Sequence, residues 1–151
     1  QITGAEHLWT DLERKRMFDS PTHSPAESKR LYTYLNQKAA HLLAQGKSVI
    51  FDTNFNFYQD RQLMRDMAAR HGADCTLIWV QADPQLAYKR ASENIEQQPT
   101  RVLGSMAAEA FERITNKLQP PEQSEQPIIL DGTKITPAYV AEKLGIKYEQ
   151  V

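Results

Sequence analysis

Between Ala26 and Gln45 the apolar residues Leu31, Leu35, Ala39 and Leu42 recur three or four positions apart, which gathers them on one face of a long helix. Tyr32 and Tyr34 lie beside that face and read as packing residues. The period then changes. Ser48 to Phe51 is a short, mostly apolar, β-prone run, opened by Gly46 and closed by Asp52, and it reads as a buried strand. Helical spacing returns from about Tyr58 to His71, with Leu63, Met64, Met67 and Ala68 facing inward and Gly72 as the stop. Cys75 to Val80 is the clearest continuous apolar strand, and Pro84 opens the helix that follows it, carrying Leu86, Tyr88, Lys89 and Arg90.

The polar stretch Asn94 to Pro99 buries little, which predicts a mobile segment around residues 91–104. Met106, Ala110, Phe111 and Ile114 mark a helix from about Ser105 to Leu118. Pro120 to Pro127 reads as a linker, Ile128 to Leu130 as a last strand closed by Asp131-Gly132, and Pro137 to Leu144 as a terminal helix. At the front, Ala5 to Thr10 reads as a strand leading into Asp11, placed as the N-cap of a short helix running to about Phe18. His23 falls in the turn-rich loop Asp19 to Pro25, without a metal-ligand companion at a useful spacing. Strands thus alternate with helices and no hairpin signal joins any two strands. This order predicts an α/β fold: one domain over residues 1–151, with a parallel sheet covered by helices on both faces.

Composition narrows the class. With 151 residues, 40% hydrophobic and 25% charged, the chain suits a globular domain with its own core. A net charge of -1 argues against general binding to nucleic acid or a membrane surface. Cys75, alone and inside an apolar run, reads as a core residue in a reducing compartment. The absence of a long apolar stretch or a signal segment makes cytoplasmic the expected location and a membrane partner unexpected. The chain opens at Gln1, which reads as a processed, trimmed or truncated product.

Candidate chemistry gathers where strands end. In open α/β sheets ligands collect at the carboxyl ends of strands, which singles out Asp52 with Thr53 and Asn54. The residues alone leave open whether Asp52 is a site acid or merely closes the strand. Asp11 and Arg14, three apart on one helical turn, point the same way, and the spacing alone favours reading them as a cap with a solvated arginine. Gly46-Lys47-Ser48 imitates the end of a phosphate-binding G-x-x-x-x-G-K-[ST] loop. It fails because His41 stands where the first glycine belongs, and because it follows a helix and opens a strand.

Thr10-Asp11-Leu12-Glu13-Arg14, the run Gly46 to Phe55, Leu77 to Pro84 and Tyr88-Lys89-Arg90 together resemble the AAA-type predicted kinases. These are small P-loop phosphotransferases related to polynucleotide 5′-kinase, the zeta toxins and chloramphenicol phosphotransferase. The resemblance runs from about Gly4 to Thr133. It implies a three-layer α/β/α sheet whose first, central strand and phosphate-binding loop have no counterpart in these residues. It further implies ATP and Mg²⁺ as cofactors, with a small-molecule or polynucleotide hydroxyl as acceptor. On this resemblance Asp11 is the general base and Arg14 grips acceptor phosphate, while Asp52 holds the metal side through water. Thr53 and Asn54 line the acceptor side. Arg90 is the first lid arginine and also contacts nucleotide. A second lid arginine is expected near Asn94, and Arg101 stands in for it. Without the phosphate loop the expected activity of these residues alone is nil, and an open strand edge invites a second copy of the chain. The competing expectation is a non-catalytic α/β module that binds a phosphorylated ligand or a protein partner.

Overall fold

The computed structural model describes residues 3–93 and 102–148. Its long helix and its first two strands follow the sequence pattern closely. β1 (Glu6–Trp9) runs straight into α1 (Thr10–Met17), and α2 (Pro25–Ala44) follows after a loop. Ser24 caps α2, its hydroxyl accepting from the Glu27 N–H, and Pro25 fixes the first turn. Leu31, Leu35, Ala39 and Leu42 are all buried and form the core with Leu8 and Met67.

β2 (Val49–Asp52) lies parallel to β1, in a register that sets Trp9 beside Asp52. α3 (Tyr58–Arg70), β3 (Ile78–Gln81), α4 (Pro84–Ser92) and α5 (Ala108–Thr115) come next. β4 (Ile128–Asp131) pairs in parallel with β3, and α6 (Pro137–Leu144) packs back on β4 through Ala141 and Leu130. The fold is mixed α/β with parallel strands, as expected from the alternation of elements.

Several expectations are corrected. The single sheet is two separate two-stranded sheets, so β2 and β3 each keep an edge without a strand partner among the described residues. A cavity of about 150 Å³ touches Val49 and Phe51 of β2 and the residues Cys75 to Leu77 that lead into β3. β2 is not buried on both faces. Leu8, Val49 and Phe51 pack toward α2, while Ile50 is 42% exposed on the opposite face with His7 and Asp52. Cys75 is exposed, because β3 begins only at Ile78. Leu63 is also exposed, whereas Met67 and Ala68 take the inward face of α3.

The stretch read as a linker carries a single 3-10 turn, Gln123–Glu125, and buries Glu125. Glu125 receives two hydrogen bonds of 2.8 Å from Arg61, and Arg65 adds a third at 2.9 Å. Arg61 also donates to the carbonyl oxygens of Phe55 and Gln119. This network ties the segment after β2 to the segment before β4. The predicted mobile segment falls largely on residues 94–101, which lie outside the described residues.

Candidate functional site

The site is built where β1 and β2 end side by side. The Asp52 carboxylate meets the Nε2 of His7 at 2.9 Å, a pairing set by the parallel register and by the exposed face the two residues share. The Thr10 hydroxyl donates to the Asp52 carbonyl oxygen, which holds the start of α1 against the end of β2. Asp11 follows in the first turn of α1 and is exposed. It is not the N-cap, a place taken by Trp9 without any side-chain bond. A carboxylate in a helix's first turn is favoured by the positive end of the helix dipole.

Arg14 points elsewhere. It is buried, bonded to Glu27 and more weakly to Ser28 at 3.4 Å, and its Nε has no partner among the described residues. Burial pushes the Glu27 carboxyl upward, but the N–H of Thr22, Arg14, the Thr22 hydroxyl and the N–H of His23 outweigh it and hold the group at about 2. The guanidinium that the resemblance assigns to acceptor phosphate is thus engaged in an ion pair under α1.

Beyond Asp52 the chain turns through Thr53 to Phe57 around a cavity of about 380 Å³. Phe51, Phe55 and Met64 form its apolar floor, the two phenyl rings tilted against each other at 5.6 Å between centroids. The polar wall comes from Thr53, Asn54, Asn36 and Tyr32. The Tyr32 and Thr53 hydroxyls are 2.8 Å apart, so Tyr32 lines this cavity as well as packing from α2. Its signal in the sequence is weak: a polar-tipped aromatic one position off the buried stripe of α2. The Asn36 Oδ1 is buried and has no hydrogen-bond partner among the described residues.

Phe55 adopts φ 35°, a left-handed conformation that a bulky residue takes only when its surroundings enforce it. The enforcement is visible. Arg61 holds the Phe55 carbonyl, the Gln119 N–H donates to the Asn56 carbonyl at 2.8 Å, and the Gln119 side chain accepts from the Tyr58 N–H. Glu125 is held at about 2 chiefly by its bond from Arg61, against the opposing effect of burial. The loop over the cavity therefore rests on a fully charged buried pair.

Arg90 belongs to the other sheet, where its guanidinium donates to the Gly132 carbonyl oxygen at 2.9 Å. The structure shows no contact between Arg90 and the Asp11, Asp52 and Thr53 group. Arg101 lies outside the described residues. Lys47 sits at the amino end of β2, against Glu6 at 3.4 Å, the end opposite the cavity. No group of three or more His, Cys, Asp or Glu residues among those described is arranged to hold a metal ion.

Parallel strands that end at Asp52 next to a cavity make this an α/β domain with its cavity at the strands' carboxyl ends, where such folds commonly bind ligands. The chain belongs to the AAA domain family, whose model matches residues 1–121. This family is one of P-loop NTPase-like, kinase-like nucleotide-binding domains. No curated protein and no solved structure matches the chain. No helix among the described residues is long and apolar enough to cross a membrane.

Proposed function

We propose that these residues form the acceptor-binding side of an ATP-dependent phosphotransferase. The observation that carries this reading is that Thr10, the residue before Asp11, is bonded to the end of β2 at Asp52, and that the next residues, Thr53 and Asn54, line a preformed cavity. In this reading Asp11 removes the proton from the acceptor hydroxyl, and Thr53 with Asn54 hold the acceptor in the cavity. His7 orients the Asp52 carboxylate, which faces the metal side. ATP with Mg²⁺ would supply the transferring phosphoryl group.

The described residues do not complete a nucleotide site. Among the described residues the cavity lining has no lysine or arginine, and Arg14 is already neutralised by Glu27. The edges of β2 and β3 left without a strand partner among the described residues suit a further parallel strand that would bring a phosphate-binding loop to the ends of β1 and β2. Arg90 and Arg101 are then the lid arginines of the complete site.

The test is transfer of the γ-phosphate from ATP to a panel of hydroxyl compounds, using the full-length natural protein. Asp11→Asn is expected to lower the transfer rate by roughly 10²–10⁴-fold, the usual contribution of a general base. Unchanged transfer in that variant refutes the role of Asp11. The open strand edges also favour a second reading, a non-catalytic module that pairs with a protein partner. It predicts no transfer with any acceptor, and strand pairing detectable by hydrogen exchange at Val49–Asp52 or Ile78–Gln81.

A further inference from the structure

We infer that Gln119 is a positioning residue for the cavity beyond β2: it pins the start of α3 and the loop before it, and so holds the chain that follows Thr53 and Asn54 in the shape that walls the cavity. This deepens the proposed function and rests on it only for the statement that the cavity's occupant is a phosphate acceptor.

The loop needs a hold from outside. α3 starts at Tyr58 behind the N-cap Phe57, whose side chain makes no capping bond, so the first N–H groups of the helix find no partner there. Phe55, three residues before that start, sits at φ 35°, where glycine or asparagine is at ease and a phenylalanine is strained. Strain of this kind persists only where the surroundings over-determine it.

Gln119 supplies the hold at three atoms. Its side-chain Oε1 accepts from the Tyr58 N–H at 2.8 Å, so a residue 61 positions away satisfies the first N–H of α3. Its backbone N–H donates to the Asn56 carbonyl oxygen at 2.8 Å. Its carbonyl oxygen accepts at 3.0 Å from Arg61 Nη1, the same nitrogen that donates to the Phe55 carbonyl at 2.9 Å. Phe55 and Asn56, fixed in this way, line the cavity together with Thr53 and Asn54. Two of the three bonds belong to the backbone and do not depend on which side chain stands at position 119. The Tyr58 bond does, and because Gln119 is exposed it can be removed without opening the core. Arg61 shares the work but is buried against Glu125, so its loss would confound the loop with the fold.

The experiment compares Gln119→Leu and Gln119→Glu with the full-length natural protein, by amide hydrogen exchange and by transfer of the γ-phosphate from ATP to a panel of nucleosides, sugars and 5′-hydroxyl dinucleotides. In Gln119→Leu the Tyr58 amide should exchange at least about threefold faster, with the amides of Val49–Asp52 unchanged. The acceptor KM should rise roughly three- to tenfold, the weight of one hydrogen bond that keeps the loop in its competent state. The KM for ATP and kcat at saturating acceptor should hold, because bound acceptor selects the competent loop. A general loss of structure would instead lower kcat and speed exchange throughout β2. Gln119→Glu keeps an oxygen for the Tyr58 N–H at the positive end of α3 and should return both readouts to within about twofold of the natural protein. Unchanged exchange at Tyr58, an unchanged acceptor KM in a variant that still transfers phosphate, or equal effects of the two variants overturns the inference. The two readings fail separately. A natural protein that transfers to no acceptor, while Tyr58 exchange responds to Gln119→Leu, sinks the kinase and keeps the hold on the cavity loop. Transfer with an acceptor KM indifferent to Gln119→Leu keeps the kinase and sinks the positioning role.

Discussion

Replacing Glu125 by Ala removes the centre of the network that joins the loop after β2 to the chain before β4. In the native protein Glu125 accepts two bonds from Arg61 and one from Arg65, and its side chain also accepts from the Glu122 N–H at 3.0 Å. Its side chain is 1% exposed and that of Arg61 is 2% exposed, so the variant leaves a buried guanidinium without its carboxylate. Breaking one partner of such a pair typically costs about 3–5 kcal/mol, because the surviving charge is uncompensated. For a domain of this size that corresponds to a fall in thermal midpoint of roughly 6–20 °C. Urea denaturation followed by tryptophan fluorescence measures the loss, with Trp9 in β1 and Trp79 in β3 reporting on the two sheets. The double variant Arg61→Met, Glu125→Leu removes both charges. Its destabilisation should fall short of the sum of the single changes by about 2 kcal/mol or more. A cost below about 1 kcal/mol for Glu125→Ala, or simple additivity in the cycle, refutes the claim that this pair is the joint between the two sheets.

Three further outcomes follow from the same geometry. Glu27 and Glu125, with ordinary values near 4.5, and Asp131, near 3.8, are all held at about 2 in the folded state. Their folded values are depressed, so their stabilisation is complete above about pH 4.5 and is lost as pH falls toward 2; a urea midpoint that stays flat across that window contradicts it. Leu35→Ala should cost about 2–5 kcal/mol in calorimetry, since Leu35 is fully buried in the core. In Gly132→Ala the new Cβ would lie 2.8 Å from the backbone oxygen of Gln81, so a loss of about 1–3 kcal/mol is expected by the same measurement, and wild-type stability would show that the turn shifts freely.

The periodic parts of the chain were legible because burial acts on one face of each element. Leu31, Leu35, Ala39 and Leu42 declared α2, and α6 begins and ends at the residues its pattern predicts. Asp52, Thr53 and Asn54 were legible as a group because they follow an apolar strand, and the structure sets the first two beside His7 and Tyr32. The partners themselves were not legible. His7 and Asp52 are 45 residues apart, and only the parallel register of β1 and β2 joins them. Arg14 showed the same limit in reverse, since its place in the sequence suggests a phosphate grip while the packing of α1 on α2 gives it to Glu27.

The sequence by itself determined the element types, the α/β class and membership of the AAA domain family, because these rest on local period and on short motifs in order. The tertiary structure alone decided that the strands form two pairs with open inner edges. It also decided that a polar stretch resembling a linker buries Glu125 beneath the cavity loop, and that Tyr32 and Asn36 belong to the cavity. The physical reason is common to all three. Each depends on charge and hydrogen-bond partners drawn from distant parts of the chain, and a residue's need for a partner is written in its chemistry while the partner's identity is fixed only by packing.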